Sequence, residues 1–210
     1  MAENNGCFIS HALLINLSCT SELGCSLRNV LAHIDKEKLM SDVRHVRRFY
    51  RERIPLLETS GLDYRIKSLE SILLKYDRYY PNFTVERTYN DILGFRLICS
   101  DCAQVDELRG AYPQEFRHCS DMRVGKKCDD GYRGVHLYFQ VDHFHYPIEF
   151  QYNTVFDRRL NDWLHCYLYK RSEKAAEIGA FLRTLYEQGK IRSEDDFRRD
   201  LYGLYCGEKS

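Results

Sequence analysis

"GVHLYFQVDHFHYPIEFQYN", residues 134–153, decides how this chain is read. Its character changes at every second position: Val135, Leu137, Phe139 and Val141 are apolar, and His136, Tyr138 and Gln140 between them carry polar groups. The same period returns after "DHFH", where Ile148 and Phe150 flank Glu149. A period of two belongs to a strand, whose neighbouring side chains face opposite ways. The stretch therefore predicts two strands joined as a hairpin. If Ile148 and Phe150 enter a core, Glu149 and Gln151 project from the other face, beside His136, Tyr138 and Gln140. That polar face reads either as the solvated side of an antiparallel sheet or as a site.

Upstream, "TYNDILGFRLICSD" (88–101) reads as a largely buried strand that Asp91 begins. Leu39, Val43, Val46, Phe49, Tyr50 and Ile54 recur at three- and four-residue steps, predicting a helix over 35–54 that Pro55 ends. A second helix is predicted from Ser68 to Tyr79, stopped by Pro81. Downstream, helices are expected over Asp157–Lys170, from a Ser172 cap to Gly189, and from Ser193, with Glu194, Asp195 and Asp196 in the first turn. The fold class is α+β, a mixed sheet of about five strands flanked by helices. Residues 1–34 read as a weakly patterned N-terminal extension and 35–210 as one domain, whose C-terminal helices span 171–206.

Composition sets limits on function. Thirty-one basic residues balance 31 acidic ones, so affinity for long nucleic acid has no global charge behind it. Phosphate chemistry must rest on local clusters, which favours a small ligand. Nine cysteines, an odd number without disulfide-framework spacing, fit a reducing cytoplasm. Cys99 and Cys102 with His118 and Cys119 have the elements of a zinc site, but Cys99 ends an apolar run, which favours buried thiols. "FISHALLINLS" is too short and too polar to span a bilayer, so no membrane segment is expected.

Three clusters can carry chemistry. Arg65 and Lys67 precede a helix on which Lys75 lies further along, and cations near a helix N-terminus suit a polyphosphate. A solvated amphipathic helix explains the same residues. Asp91, paired with Glu149, could hold Mg²⁺, which takes one or two carboxylates plus phosphate oxygens. In "RVGKKCDDGYRG" (123–134), Arg123, Lys126, Lys127 and Arg133 surround Tyr132 in a glycine-punctuated loop. Such a loop can neutralise phosphate while the tyrosine stacks on a base.

These pieces resemble a RelA/SpoT-type nucleotidyltransferase, specifically a small single-domain alarmone synthetase. The likeness covers residues 62–170 and rests on "RIKSLESILLK", "DILGFRLIC", "GYRGVHLYF", "PIEFQYNT" and "HCYLYK", in the family's order. It implies a nucleotidyltransferase-like fold and transfer of the β,γ-pyrophosphate of ATP to the ribose 3′-hydroxyl of GDP or GTP. On the same basis Arg65, Lys67 and Lys75 would bind ATP phosphates, and His136 phosphate or the bridging region. Asp91 would ligate Mg²⁺, and Glu149 would share the metal or accept the 3′-OH proton. Tyr132 would stack on the acceptor base, and Lys126, Lys127, Asp130 and Gln151 would also serve the acceptor.

Cys128, Asp130 and Asn153 stand where the family often has lysine, asparagine and arginine, so the departures fall on acceptor recognition. Asp130 can still accept hydrogen bonds from guanine N1–H and N2–H₂. No His-Asp pair occurs, so the family's separate hydrolase domain is not expected. Two alternatives stay open: a toxic relative that pyrophosphorylates the tRNA 3′ end, and a non-catalytic nucleotide-binding regulator. The resemblance is also compatible with a homo-oligomer.

Overall fold

A computed structural model describes residues 10–100, 103–116, 118–169 and 172–207. In chain order, α1 (His11–Leu17), a 3₁₀ turn (Leu31–His33), α2 (Lys36–Glu52) and α3 (Ile54–Thr59) precede the first strand, β1 (Asp63–Ile66). Then come α4 (Leu69–Tyr79), α5 (Val85–Thr88), β2 (Leu93–Ile98), α6 (Ala103–Ala111), β3 (His118–Asp121), β4 (Val135–Phe139) and β5 (Ile148–Asn153). The chain continues through α7 (Val155–Tyr167), α8 (Ala175–Glu187) and α9 (Glu194–Gly207). The strands form a mixed five-stranded sheet in the order β1-β2-β5-β4-β3, flanked by helices as expected.

Chain segments group into two compact units. One comprises Met1–Leu97, Cys102–Cys119 and His136–Gln151, the other Ile98–Asp101, Ser120–Val135 and Tyr152–Ser210.

In the first unit the alternation of residues 134–151 is realised. Val135, which lies at the boundary of the second unit, is 2% exposed, Leu137 and Phe139 are at 0%, and His136 and Tyr138 between them are half-buried. Ile148 and Phe150 are fully buried, and Phe95 stacks on Phe150 with centroids 5.2 Å apart. Aromatic pairs at this separation add about 1 kcal/mol beyond the area they bury. Asp35 caps α2 by accepting from the Lys38 amide at 2.8 Å, and Ser68 caps α4 by accepting from the Ser71 amide at 3.2 Å. Both helices thus begin where the sequence places them. Pro55 acts differently from expectation: α2 ends at Glu52, and Pro55 sits in the first turn of α3, where its missing N–H costs no bond.

Residues 10–34, weakly patterned as sequence, are packed as structure. Leu14, Leu17, Leu27 and Leu31 are at 0% exposure and Leu23 at 3%. Buried Asp42 ties this segment down, accepting from Ser21 Oγ at 2.7 Å, the Glu22 amide at 2.7 Å and the Tyr146 hydroxyl at 2.8 Å. Leucines spread over a short helix and irregular loops have no common period, so hydrophobic patterning cannot find them.

The second unit has its own core. Leu160, Leu164, Leu168, Ile178, Leu182, Tyr186, Ile191, Phe197 and Leu201 form one buried cluster, with Trp163 set edge-on to Tyr186. Thr154 caps α7, so that helix starts two residues before the expected Asp157. Ser172 does not cap α8: the N-cap is Lys174, which makes no side-chain cap bond, and Ser172 Oγ accepts from the Lys174 amide. Among the described residues no helix is long and apolar enough to cross a membrane. Cys99 is buried, with its Sγ 3.5 Å from the Asn153 carbonyl. Cys102 and Lys170 lie outside the described residues.

Candidate active site

A cleft of about 290 Å³ in the first unit is lined by Arg65, Lys67, Asp91, Gly94, Arg96, Glu149 and Gln151. Strand pairing assembles it. β1 runs antiparallel to β2 with Arg65 opposite Gly94 and Asp63 opposite Arg96. On β2 the period of two puts Gly94 and Arg96 on the face away from the buried Leu93, Phe95 and Leu97. A Cβ at Gly94 would lie 3.3 Å from Glu149 Oε2, so the glycine leaves room for the neighbouring carboxylate.

Asp91 is not in the strand it was expected to begin. It sits in the turn before β2, which starts at Leu93. From there its carboxylate accepts from both lysines of the "RIKSLESILLK" helix region: Lys67 Nζ on Oδ2, and Lys75 Nζ on Oδ1 at 2.8 Å. Lys67 is fixed by its backbone, its N–H donating to the Ile92 carbonyl at 2.8 Å and its C=O accepting from Arg47 Nε at 2.9 Å. Burial alone would raise the Asp91 pKa, but Lys75 and Lys67 outweigh it and hold the carboxyl below its ordinary range. Lys67 is also shifted down: desolvation leads, and Lys75 and Arg65 add repulsion that Asp91 only partly offsets. Two lysines around one half-buried carboxylate thus lower the Asp91 value, and desolvation, aided by neighbouring cations, lowers that of Lys67.

Glu149 is 7% exposed yet does not enter the apolar core, as the alternation requires. Its carboxylate is ringed by the polar face of the sheet: Gln151 Nε2 donates at 2.7 Å, His136 Nδ1 lies at 3.2 Å and the Tyr138 hydroxyl at 3.4 Å. Gln140, expected beside them, instead donates to the His145 carbonyl at 2.9 Å. The cleft thus gathers Arg65, Lys67, Asp91, Glu149 and Gln151, with Lys75 joined through Asp91 and His136 through Glu149. Arg96 and Gly94 belong to it as well and were not singled out from the sequence. The alternation along "DILGFRLIC" that places Phe95 in the core was the available signal. Two carboxylates offering hard oxygen donors to one cleft suit a divalent cation whose remaining ligands are phosphate and water.

Lys126, Lys127, Asp130 and Tyr132 belong to the second unit. Among the described residues most cations of that loop have a carboxylate partner: Lys126 with Asp130 at 2.5 Å, Arg123 with Asp121 at 2.5 Å, and Arg133 with Asp129 through Nη1 at 2.8 Å. Asp129 is held below the usual carboxylate range, chiefly by the hydrogen bond from Arg133. Lys126 Nζ also lies 5.1 Å from the centre of the half-buried Tyr132 ring. Asn153, in place of the family's arginine, is 3% exposed and donates to the Arg133 carbonyl at 2.8 Å.

Comparison with known proteins identifies the family. A family model described as the region found in RelA / SpoT proteins matches residues 64–174, more than half of the chain. No curated protein matches. Among solved structures, the small alarmone synthetase 1 of Bacillus subtilis bound to its product pppGpp is 18% identical, with a TM-score of 0.45, covering 82% of this chain and 95% of that one. The small alarmone synthetase 2 of the same organism is 19% identical, with a TM-score of 0.39, over 83% and 94% of the two chains. A GTP pyrophosphokinase family protein from Streptococcus pneumoniae is 20% identical, with a TM-score of 0.41, over 80% and 94%.

Proposed function

Since this chain belongs to the family defined by the region found in RelA / SpoT proteins, we propose that it is an ATP:nucleotide 3′-pyrophosphotransferase making (p)ppGpp from GDP or GTP. One observation carries the reading: Asp91 and Glu149, from separate elements, line a single cleft with Arg65, Lys67 and Arg96 inside the family-matched residues.

In this reaction the acceptor 3′-oxygen attacks the β-phosphorus of ATP, the bond from that phosphorus to the α,β-bridging oxygen breaks, and AMP leaves. Both reactive oxygens belong to the substrates, so the protein supplies position and charge rather than a covalent nucleophile. Arg65, Lys67 and Arg96 neutralise the triphosphate. Lys75 keeps Asp91 ionised and aimed. Glu149, oriented by Gln151, His136 and Tyr138, takes the 3′-OH proton or contributes to the metal site. Mg²⁺, held by Asp91 and Glu149, would supply charge neutralisation at the phosphates. Tyr132, Lys126, Lys127 and Asp130 serve the acceptor, and Gln151, sited in the cleft next to Glu149, touches both roles.

The test is transfer from γ-phosphate-labelled ATP with GDP, GTP or deacylated tRNA as acceptor. Label in a guanosine tetra- or pentaphosphate, with equimolar AMP, is expected. Label on tRNA alone would replace the acceptor. Label on none of them, with ATP still bound, would leave a nucleotide-binding regulator.

A further inference from the structure

The second unit contains a buried arginine that the reaction scheme above does not use. Arg183, on α8, is 1% exposed. A guanidinium out of water needs its donors matched, since each unpaired one forfeits its hydration. Arg183 Nε donates to the Gly131 carbonyl at 2.8 Å, Nη1 to Asp157 Oδ1 at 2.8 Å and Nη2 to Asn161 Oδ1 at 3.2 Å. Both side-chain partners come from the first turns of α7, so the arginine joins two helices to one peptide group of the loop 129–134.

That peptide belongs to the residue immediately before Tyr132, and the rest of the loop backbone is held in the same way. Tyr169 donates to the Asp130 carbonyl at 3.0 Å. Asn161 takes both sides of Arg133, accepting from its amide at 3.2 Å and donating to its carbonyl at 2.7 Å, as a paired strand would. Where the loop crosses α8, glycine meets glycine. A Cβ on Gly179 would lie 2.1 Å from the Asp130 carbonyl oxygen, and one on Gly131, at φ +83°, would lie 2.3 Å from the Gly179 carbonyl oxygen. No larger residue fits at Gly179 without moving the loop. Asn161 and Gly179 are themselves buried.

We propose that Arg183, together with the Gly179 crossing, is a positioning device for the acceptor: it fixes the height and tilt of the Tyr132 loop and thereby sets affinity for the acceptor nucleotide without touching it. This rests on the pyrophosphotransferase reading, in which Tyr132 stacks on the acceptor base. Three side chains, Arg183, Tyr169 and Asn161, converge on the backbone of residues 130–133. A stacking ring binds more tightly when its plane is fixed beforehand, because less conformational entropy is lost on binding.

Arg183→Lys keeps the charge but offers one donor centre in place of a fork spanning three acceptors. Gly179→Ala keeps the arginine and displaces the loop sterically. For both variants the expected result is an acceptor KM raised roughly tenfold or more, with the ATP KM within about twofold of wild type. Amide exchange should rise in residues 130–134 and not in α7 or α8. The proposal is overturned if both KM values move together with the loss of Tm, or if neither KM nor loop exchange changes. Should wild type transfer no label to any guanine nucleotide, the functional reading fails. Loop exchange and ATP binding in the two variants then still decide whether Arg183 and Gly179 hold the loop.

Discussion

Each unit gathers charge, and the two do so in different ways: the second buries it and the first leaves most of it half-buried at a cleft. In the second, each of the three nitrogens of Arg183 has an acceptor: a carbonyl, a carboxylate and an amide oxygen. In the first, Arg65, Lys67, Lys75 and Arg96 gather around Asp91 and Glu149 beside an open cleft, so cations exceed carboxylates. In a half-buried cleft a surplus of like charge costs free energy that a bound polyanion would recover. Matched charge holds structure together, and a surplus of cations suits a polyanion. Substitutions in the two places should therefore fail in different ways.

Glu149→Gln is the strongest break. It keeps size and most hydrogen bonds but removes a carboxylate that acts as base or metal ligand, so turnover should drop ~10³-fold while Tm changes little. Initial rates at saturating ATP, with a melting curve, check both halves. Arg183→Met should lower stability instead, leaving turnover at saturating acceptor little changed. Stability should fall by ~3 kcal/mol, because Asp157, Asn161 and the Gly131 carbonyl lose a shared donor, as read by urea denaturation.

Asp91→Asn lies between these extremes. Loss of a charge-assisted pair should cost ~2 kcal/mol at neutral pH. In the fold Asp91 titrates below an ordinary carboxylate, so its contribution is complete above the unfolded-chain value of about 3.9. It is lost as pH falls through the lower folded value. The stability gap between wild type and variant should accordingly close in acid, and a gap constant with pH would refute the assignment. Ser68→Ala is the smallest effect: loss of the α4 N-cap should cost ~1 kcal/mol and loosen the start of the helix that carries Lys75. The ATP KM should rise modestly and the acceptor KM should not.

Much of the first unit could be read from sequence because its elements are periodic. The alternation of 134–151 placed Glu149 opposite the core, and Ser68 and Pro81 bracketed α4. Five stretches within 62–170 carry the family resemblance in the sequence itself. What escaped the reading lacked a period. β1 and β3 are four residues long, and four residues hold too few alternations to stand out. Arg96 lay inside a stretch read for its apolar face. In the second unit, Arg183 reads as one more charge on a helix, and Asn153 as the loss of a family cation. Only packing shows that both hold backbone carbonyls of the Tyr132 loop.

The sequence alone determined which residues alternate, where the main helices begin, and which charged groups lie within the family's motifs, because these depend on neighbours a few positions apart. Tertiary structure decided which of those charges are satisfied. Asp91 meets two lysines 24 and 16 residues away, and Arg183 meets a carbonyl 52 residues away. Whether a buried charge is saturated depends on partners that only the closed fold brings within hydrogen-bond reach.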